Sequence, residues 1–175
     1  MKILFCIAII TTALFSSKLK YENLLQSFPK NYKLAYKKIQ NGTSFYEFIP
    51  KSEELKNWTE MITTNIYHRN LRYSVDEYVE EMKKAWSKSC KDTSFKDIDE
   101  SFENGYKTKT VMMSCKVSKI TKKEETMYLK AIKGADSFYT VQKAFTGKTN
   151  KEQENKSVEY LKTVKVCDSR LFTCP

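Results

Sequence analysis

Few side chains in this sequence are of the types that catalyse reactions, and their spacing excludes most familiar motifs. His68 is the single histidine, so a nucleophile–histidine–acid triad would need all its partners beside that one ring. No G-x-S-x-G segment, which presents the serine in many hydrolases, occurs in the sequence. We therefore expect no catalytic residues and a protein that is not an enzyme. The alternative is a small secreted hydrolase that uses His68, assisted by Glu60 or Arg69.

Two segments approach ligand-binding motifs without completing them. Gly147-Lys148-Thr149 lacks the earlier glycine of a phosphate-binding loop, because Gln142 stands at that position. The acidic stretch 97–100, followed by Glu103, has Phe102 where a calcium-binding loop needs glycine. We expect neither a metal nor a cofactor, and a weak cation site of another type is the alternative reading of the acidic stretch.

The cysteines predict a disulfide framework. Cys6 lies in the first, apolar segment, which leaves Cys90, Cys115, Cys167 and Cys174. An even number of cysteines in an exported chain is typical of disulfides, and four cysteines allow three pairings. We favour Cys90–Cys115 with Cys167–Cys174, because each pair is close in sequence. No C-x-x-C segment or Cys/His cluster supports a redox or zinc site instead.

The N-terminal segment has the pattern of a signal peptide. Lys2 is followed by an apolar stretch, 3–15, that is too short to span a bilayer, and by Ser16 and Ser17. We therefore predict that residues 1–17 are removed and that residues 18–175 form one exported domain, periplasmic or secreted. The alternative is an uncleaved N-terminal membrane anchor.

The charge of the chain is strongly positive. It has 31 lysines and arginines against 21 acidic residues, a net charge of +10 that falls to +9 when Lys2 leaves with residues 1–17. Lysines concentrate in the two zones 18–38 and 107–133, the second of which is interleaved with Tyr106, Tyr128, Phe138 and Tyr139. A basic sheet face with aromatic side chains has features that proteins use to bind nucleic acid or acidic polymers, and such binding is the alternative interpretation of this charge. Otherwise the charge serves solubility.

Local patterns predict the elements that would position these side chains. Asn-Gly pairs at 41–42 and 104–105 favour tight hairpin turns, since both central turn positions need positive φ. Ser74 and Glu77 form a capping box at the start of a helix, and Asn150 is a plausible cap for a second one over 150–166. We also expect a short amphipathic helix over 18–28. The expected strands are 33–39, 43–49, 58–67, 95–102, 106–117, 124–132 and 137–146.

Two short motifs carry a resemblance to known proteins. These are the segment 45–53 followed by 57–63, and the tail Val166-Cys167-Asp168-Ser169-Arg170 with Cys174-Pro175. Together they resemble small exported proteins of Gram-negative bacteria with no assigned activity. The strand, proline, glutamate and tryptophan of the first motif also resemble the PsbP/Mog1 type of α/β sandwich, including the DcrB-like lipoproteins. The resemblance implies a binding or accessory role, and it transfers no catalytic residue. The disulfides and the lack of a lipoprotein signal depart from that group.

These observations predict an α+β domain in which helices cover an antiparallel sheet of about six to seven strands, with two disulfides. The function that we expect is non-enzymatic binding of a partner, most simply another protein, outside the bacterial cytoplasm. The residues that we expect at a surface contact are Glu53, Trp58, Asp168 and Arg170. A basic protein that binds a polyanion or nucleic acid is the alternative within the same class of function.

Overall fold

The computed structural model describes residues 20–69, 72–171 and 173–174. The predicted signal peptide, residues 1–17, lies outside the described residues. No helix of the described ranges is long and apolar enough to cross a bilayer.

A seven-stranded antiparallel sheet forms the centre of the molecule. Its strands, given in spatial order, are β2 (Tyr32–Gln40), β3 (Thr43–Pro50), β4 (Glu60–His68), β8 (Ser137–Thr146), β7 (Glu125–Lys133), β6 (Tyr106–Ser118) and β5 (Cys90–Glu103). A second, two-stranded sheet pairs β1 (Glu22–Leu25) with β9 (Lys165–Asp168). A 3₁₀ turn, Leu55–Asn57, joins β3 to β4. The expected α+β class and the number of strands in the main sheet are confirmed.

Both Asn-Gly pairs form hairpin turns, as predicted. Asn41 and Gly42 have φ angles of 51° and 72°, and Asn104 and Gly105 have 50° and 80°. Left-handed conformation at both central positions is what a tight hairpin turn requires, and asparagine and glycine adopt it at the lowest cost. The turns fix the registers of β2 with β3 and of β5 with β6.

Two helices begin at the predicted caps. Helix α1 (Val75–Ser89) follows Ser74, whose hydroxyl accepts from the Glu77 backbone N–H while the Glu77 carboxylate accepts from the Ser74 backbone N–H. Helix α2 (Lys151–Thr163) follows Asn150, which forms the same reciprocal pair with Gln153. Each cap satisfies backbone N–H groups that would otherwise lack a partner.

The helices cover opposite faces of the sheet. Leu129 of β7 belongs to the apolar core under α1, with Val75 and Val79 of that helix. Its neighbour Tyr128 belongs to the core under α2, with Leu161. Because successive side chains of a strand point to opposite faces, these two cores lie on the two sides of the sheet. The domain therefore has three layers, and its central strands are buried on both faces.

The expected helix over 18–28 is wrong for the residues that the structure describes. Glu22–Leu25 is a strand whose Leu24 pairs with Val166 of β9. A short isolated helix is only marginally stable, so pairing with β9 and the hydrogen bonds that the Glu22 carboxylate accepts from the backbone N–H groups of Ala135 and Ser137 override the local periodicity. For the same reason the second helix ends at Thr163, earlier than expected, and the chain continues into β9.

Both expected disulfides are formed. Cys90 at the start of β5 is bonded to Cys115 on the neighbouring strand β6. Cys167 on β9 is bonded to Cys174, which closes the C-terminal loop. The first bond ties the edge strand of the main sheet to its neighbour, and the second ties the end of the chain to β9.

Candidate polyanion-binding surface

Ion pairs neutralise several lysines of the zone 107–133. Lys107 and Lys109 each contact the carboxylates of Asp76 and Glu100, at distances between 2.7 and 3.1 Å. These contacts lower the pKa of both carboxyls and raise the pKa of both amines. Both lysines thus belong to a charge network that joins α1 to the β5–β6 hairpin, and they offer little free positive charge to a ligand.

Lys130 of the same zone is a structural residue. Its side chain is 2% exposed, and its ammonium donates to the Glu103 carboxylate at 2.8 Å and to the carbonyl oxygens of Leu161 and Val164. Burial lowers the pKa of this amine, and the Glu103 carboxylate opposes that shift. The ammonium therefore anchors the end of α2 to β7 and is inaccessible to a partner.

The lysines around the edge strand β2 differ, because none of them forms an ion pair within the described part of the chain. They are Lys30, Lys33, Lys37, Lys38 and Lys51. The Lys33 ammonium donates to the carbonyl of Lys51 at 3.1 Å, and the Lys37 ammonium lies 5.7 Å from the centroid of the Tyr46 ring. All five are exposed and keep their charge available to solvent.

Aromatic rings lie beside these lysines on both faces of the β2–β3 hairpin. Tyr36 and Lys38 share one face of β2, opposite Phe45 of β3, and the rings of Tyr36 and Phe45 meet edge to face at 5.8 Å. The other face carries Lys37 and its register partner Tyr46. We call Lys33, Tyr36, Lys37, Lys38, Phe45 and Tyr46 the β2–β3 surface, which comprises both faces of the hairpin around the edge strand β2.

An open groove runs along the turn end of this surface. It has a volume of about 440 Å³ and is lined by Lys38, Gln40, Asn41, Thr43 and Phe45. Tyr36, which is 42% exposed, lies next to it on the same face. Proteins that bind single-stranded nucleic acids use two features of this kind. Lysine ammonium groups neutralise the backbone charge, and aromatic rings stack with the bases.

Glu47 is the one carboxylate of strand β3. It is half-buried and is the register partner of Tyr36. Burial raises the pKa of this carboxyl above its ordinary value.

The expected contact residues Glu53 and Trp58 lie in the connection between β3 and β4. The Glu53 carboxylate accepts from the Thr59 backbone N–H at 2.7 Å and from the Thr59 hydroxyl. The Trp58 carbonyl accepts from the Thr146 hydroxyl at 3.0 Å, and its side chain is half-buried. The Glu53 side chain thus stabilises the β3–β4 connection, and the Trp58 backbone is hydrogen-bonded to the last residue of β8.

The other two expected contact residues, Asp168 and Arg170, lie at the opposite end of β8. The Asp168 side chain is 2% exposed and forms an ion pair with Arg170, which also binds Asp136 in the β7–β8 turn at 2.6 Å. The Arg170 guanidinium lowers the pKa of the Asp168 carboxyl to about 2. The ten residues of β8 separate this pair from Trp58 by about 30 Å. The four residues therefore do not form one surface.

His68 lies at the end of β4, where its Nε2 is 2.9 Å from the hydroxyl oxygen of Ser44. Ser44 is 5% exposed, so a substrate has little access to its hydroxyl. Within the ranges that the structure describes, no carboxylate hydrogen-bonds to the imidazole. Of the suggested helpers, Glu60 is engaged elsewhere, since its carboxylate binds the Lys143 ammonium at 2.6 Å.

The acidic stretch 97–103 faces lysines. Asp97 and Glu100 contact Lys109, and Glu103 contacts Lys130. Residues 20–69, 72–171 and 173–174 hold no group of three or more His, Cys, Asp or Glu side chains that could bind a metal ion.

The β2–β3 surface was only partly visible in the sequence. The lysines mark the zone 18–38 in the composition, whereas composition does not distinguish Tyr36 and Phe45 as ligand-binding residues. The position of Tyr36 between Lys33 and the pair Lys37-Lys38 is the signal that could have identified this ring.

Comparisons with known proteins give a distant likeness in structure only. No protein-family model matches the chain, and no curated protein matches it in sequence. Among solved structures, cyanobacterial PsbP from Synechocystis sp. PCC 6803 is 11% identical, with a TM-score of 0.49 over 90% of this chain and 99% of that one. The Ran-binding protein Mog1p of Saccharomyces cerevisiae is 13% identical, with a TM-score of 0.48 over 89% of this chain and 100% of that one.

Both structures are, by name, of the PsbP/Mog1 group that the sequence motifs resemble. At these identities and TM-scores they carry no conclusion about function. The expected relationship to exported Gram-negative proteins stays a prediction.

Proposed function

We propose that this chain is an exported, non-enzymatic protein that binds an anionic polymer on its β2–β3 surface. The observation that carries the proposal is the row of lysines along β2 that lack acidic partners in the described part of the chain and lie beside aromatic rings, unlike the ion-paired lysines of β6 and β7. Acidic side chains neutralise Lys107, Lys109 and Lys130, whereas the lysines of β2 have no acidic partner in the described residues and lie beside aromatic rings. Lysines without partners can neutralise the charges of a polyanion and displace the counterions condensed on it, and this release is the main source of affinity for such ligands.

Location outside the bacterial cytoplasm, in the periplasm or the medium, is part of the same proposal. Two disulfides support it, because such bonds persist in oxidising compartments. The predicted signal peptide, residues 1–17, supports it from the sequence.

The test is binding of a labelled single-stranded DNA oligonucleotide and of labelled heparin, measured by fluorescence anisotropy over a range of salt concentrations. We expect both to bind at low salt, with affinity that falls steeply as salt rises. Replacing Lys33, Lys37 and Lys38 with glutamine should reduce the slope of log K against log salt for the single strand by about two. Replacing Lys84, Lys151 and Lys156 with glutamine is the matched control, because it removes equal charge from exposed, ion-paired lysines.

Tyr36→Ala separates stacking from charge. Loss of one base-stacking ring should weaken binding to the DNA strand by about tenfold. Heparin has no bases, so its affinity should stay unchanged. Absence of binding to both polymers at low salt would refute the proposal, and so would equal losses in the two lysine triple variants.

A further inference from the structure

The connection between β6 and β7 is an exposed basic loop with an apolar side chain at its tip. We call residues 117–123, from the end of β6 to the start of β7, the 117–123 loop. Ile120 is 82% exposed and Val117 is 42% exposed. Around them lie four exposed lysines, none of which has an ion pair within the described ranges: Lys116, Lys119, Lys122 and Lys123.

Hydrogen bonds hold this loop in one conformation. The buried Ser118 hydroxyl accepts from the backbone N–H groups of Ile120 and Thr121, at 3.2 and 3.3 Å. The Ser118 backbone N–H donates to the carbonyl of Lys123, and the Lys119 backbone N–H donates to the carbonyl of Ser89 at the end of α1. The loop that carries the exposed isoleucine is therefore ordered before it binds, which lowers the entropy cost of binding.

The base of the loop is also fixed to the sheet. The disulfide between Cys90 and Cys115 lies at the adjoining ends of β5 and β6, and Cys90 is the register partner of Ser118. The Thr121 hydroxyl donates to the carboxylate of Glu125, the first residue of β7. Both ends of the loop are therefore anchored to rigid elements, and its tip projects from them.

We propose that the 117–123 loop docks the protein on an anionic phospholipid bilayer, with Ile120 inserted among the acyl chains and the lysines at the headgroups. The positive charge of the loop suits anionic headgroups, because each lysine near the membrane surface adds to the free energy of binding. Ile120 distinguishes this partner from a soluble polyanion. A bilayer stabilises an inserted apolar side chain, whereas a heparin chain, which is polar and charged along its length, offers isoleucine no apolar environment.

This surface is separate from the β2–β3 surface. The loop adjoins β5, β6 and β7, whereas β2 and β3 lie at the other side of the sheet, beyond β8 and β4. Each surface therefore supplies the control for the other, and failure of one proposal leaves the other open to its own test.

The experiment is co-sedimentation of the processed chain, recovered from the exported fraction, with vesicles. One vesicle preparation contains phosphatidylcholine alone, and the other contains phosphatidylcholine mixed with phosphatidylglycerol. We expect binding to the mixed vesicles only. Ile120→Ser should lower the partition coefficient by about tenfold, and replacing Lys119, Lys122 and Lys123 with glutamine should lower it by about fivefold for each lysine removed.

Two controls separate insertion from simple charge attraction. The triple variant at Lys33, Lys37 and Lys38 should keep most of its vesicle binding, and Ile120→Ser should keep its affinity for single-stranded DNA. In an Ile120→Trp variant, the added indole emission should shift to the blue with mixed vesicles. If Ile120→Ser binds the vesicles as tightly as the unaltered chain, or if the unaltered chain does not bind them, the proposal is overturned.

Discussion

Glu22 and Ser137, which are 115 positions apart in the chain, are joined by a hydrogen bond of 3.0 Å from the Ser137 backbone N–H to the Glu22 carboxylate. The same carboxylate accepts from the backbone N–H groups of Ala135 and Asp136, at 2.5 and 3.1 Å, and from the Tyr139 hydroxyl at 3.0 Å. Successive backbone N–H groups of this kind form an anion-binding concavity. In this molecule the anion is the chain's own side chain, which attaches β1 to the β7–β8 turn.

The first prediction concerns the strength of this attachment. Glu22→Ala leaves the N–H groups of the turn without their common acceptor, so the free energy of unfolding should fall by about 2 kcal/mol. Urea denaturation followed by circular dichroism measures the change. Glu159→Ala is the matched control, because Glu159 is exposed on α2 and makes no hydrogen bond with the described residues. Equal stabilities of the two variants would contradict the prediction.

The second prediction tests whether Gly134 is needed by the same contact. A methyl group at Gly134 would collide with the Glu22 carboxylate. Gly134→Ala should therefore destabilise the unaltered chain, but cost much less in a chain that already carries Glu22→Ala. The measurement is a double-mutant cycle of unfolding free energies. Additive losses would show that the glycine serves another purpose.

The third prediction is that the stability of the fold decreases as the pH falls into the acidic range. The pKa of Asp168 is lowered from 3.8 to about 2, chiefly by hydrogen bonds from Arg170. A carboxyl whose pKa is lower in the folded state stabilises the fold fully above its ordinary pKa, and this contribution is lost as the pH falls towards about 2. Asp168→Asn should cost about 2 kcal/mol at neutral pH.

Unfolding free energies measured from neutral pH down to about pH 2 test this dependence. The Asp168→Asn variant should lose less stability over the acidic part of the range than the unaltered chain. Asp136→Asn is a useful comparison, because Asp136 binds the same guanidinium from an exposed position. Parallel pH curves for Asp168→Asn and the unaltered chain would contradict the assignment.

Local signals predicted most of the fold. The turn at Asn41-Gly42 and the capping box of Ser74 with Glu77 each depend on residues at most three positions apart, so the sequence displays them directly. The pairing of β1 with β9 joins Glu22 to Asp168, and no local pattern encodes a partner so far away. The local pattern of the short apolar segment near the N-terminus therefore predicts a helix, although the fold makes it a strand.

The candidate surface depends even more on distant contacts. Composition marked two lysine-rich zones, but Lys107 is neutralised by Asp76, which lies 31 positions earlier in the chain. Only the folded arrangement separates such lysines from Lys37 and Lys38. Likewise, Trp58 and Arg170 were expected at a common contact because both belong to recognisable motifs, yet β8 holds them at opposite ends of the sheet.

The fourth prediction concerns the pair Ser44 and His68. Because Ser44 is buried and no described carboxylate orients the imidazole, its hydroxyl should not react with a fluorophosphonate probe of serine hydrolases. His68→Ala should cost about 1 kcal/mol of stability through the lost hydrogen bond, and leave binding to DNA and heparin unchanged. Mass spectrometry of the probe-treated chain decides between a non-enzymatic protein and a hydrolase that uses His68. Labelling of Ser44 that disappears in His68→Ala would favour the hydrolase.

The fifth prediction compares the two disulfides. They join cysteines that are 25 and 7 positions apart, so loop closure in the unfolded chain makes the first worth about 3.5 kcal/mol and the second about 2.5 kcal/mol. Replacing Cys90 and Cys115 with serine should therefore cost more stability than replacing Cys167 and Cys174. Urea denaturation of the two double variants measures the difference.

Peptide mapping without reduction is the control for this comparison, because it must first show that each variant keeps its remaining bond. Loss of the Cys167–Cys174 bond should have a second effect, since it frees the segment that carries Asp168 and Arg170. In that variant Glu22→Ala should cost less than it does in the unaltered chain, because β9 no longer holds β1 firmly against the β7–β8 turn. An unchanged cost of Glu22→Ala would show that the turn alone holds β1.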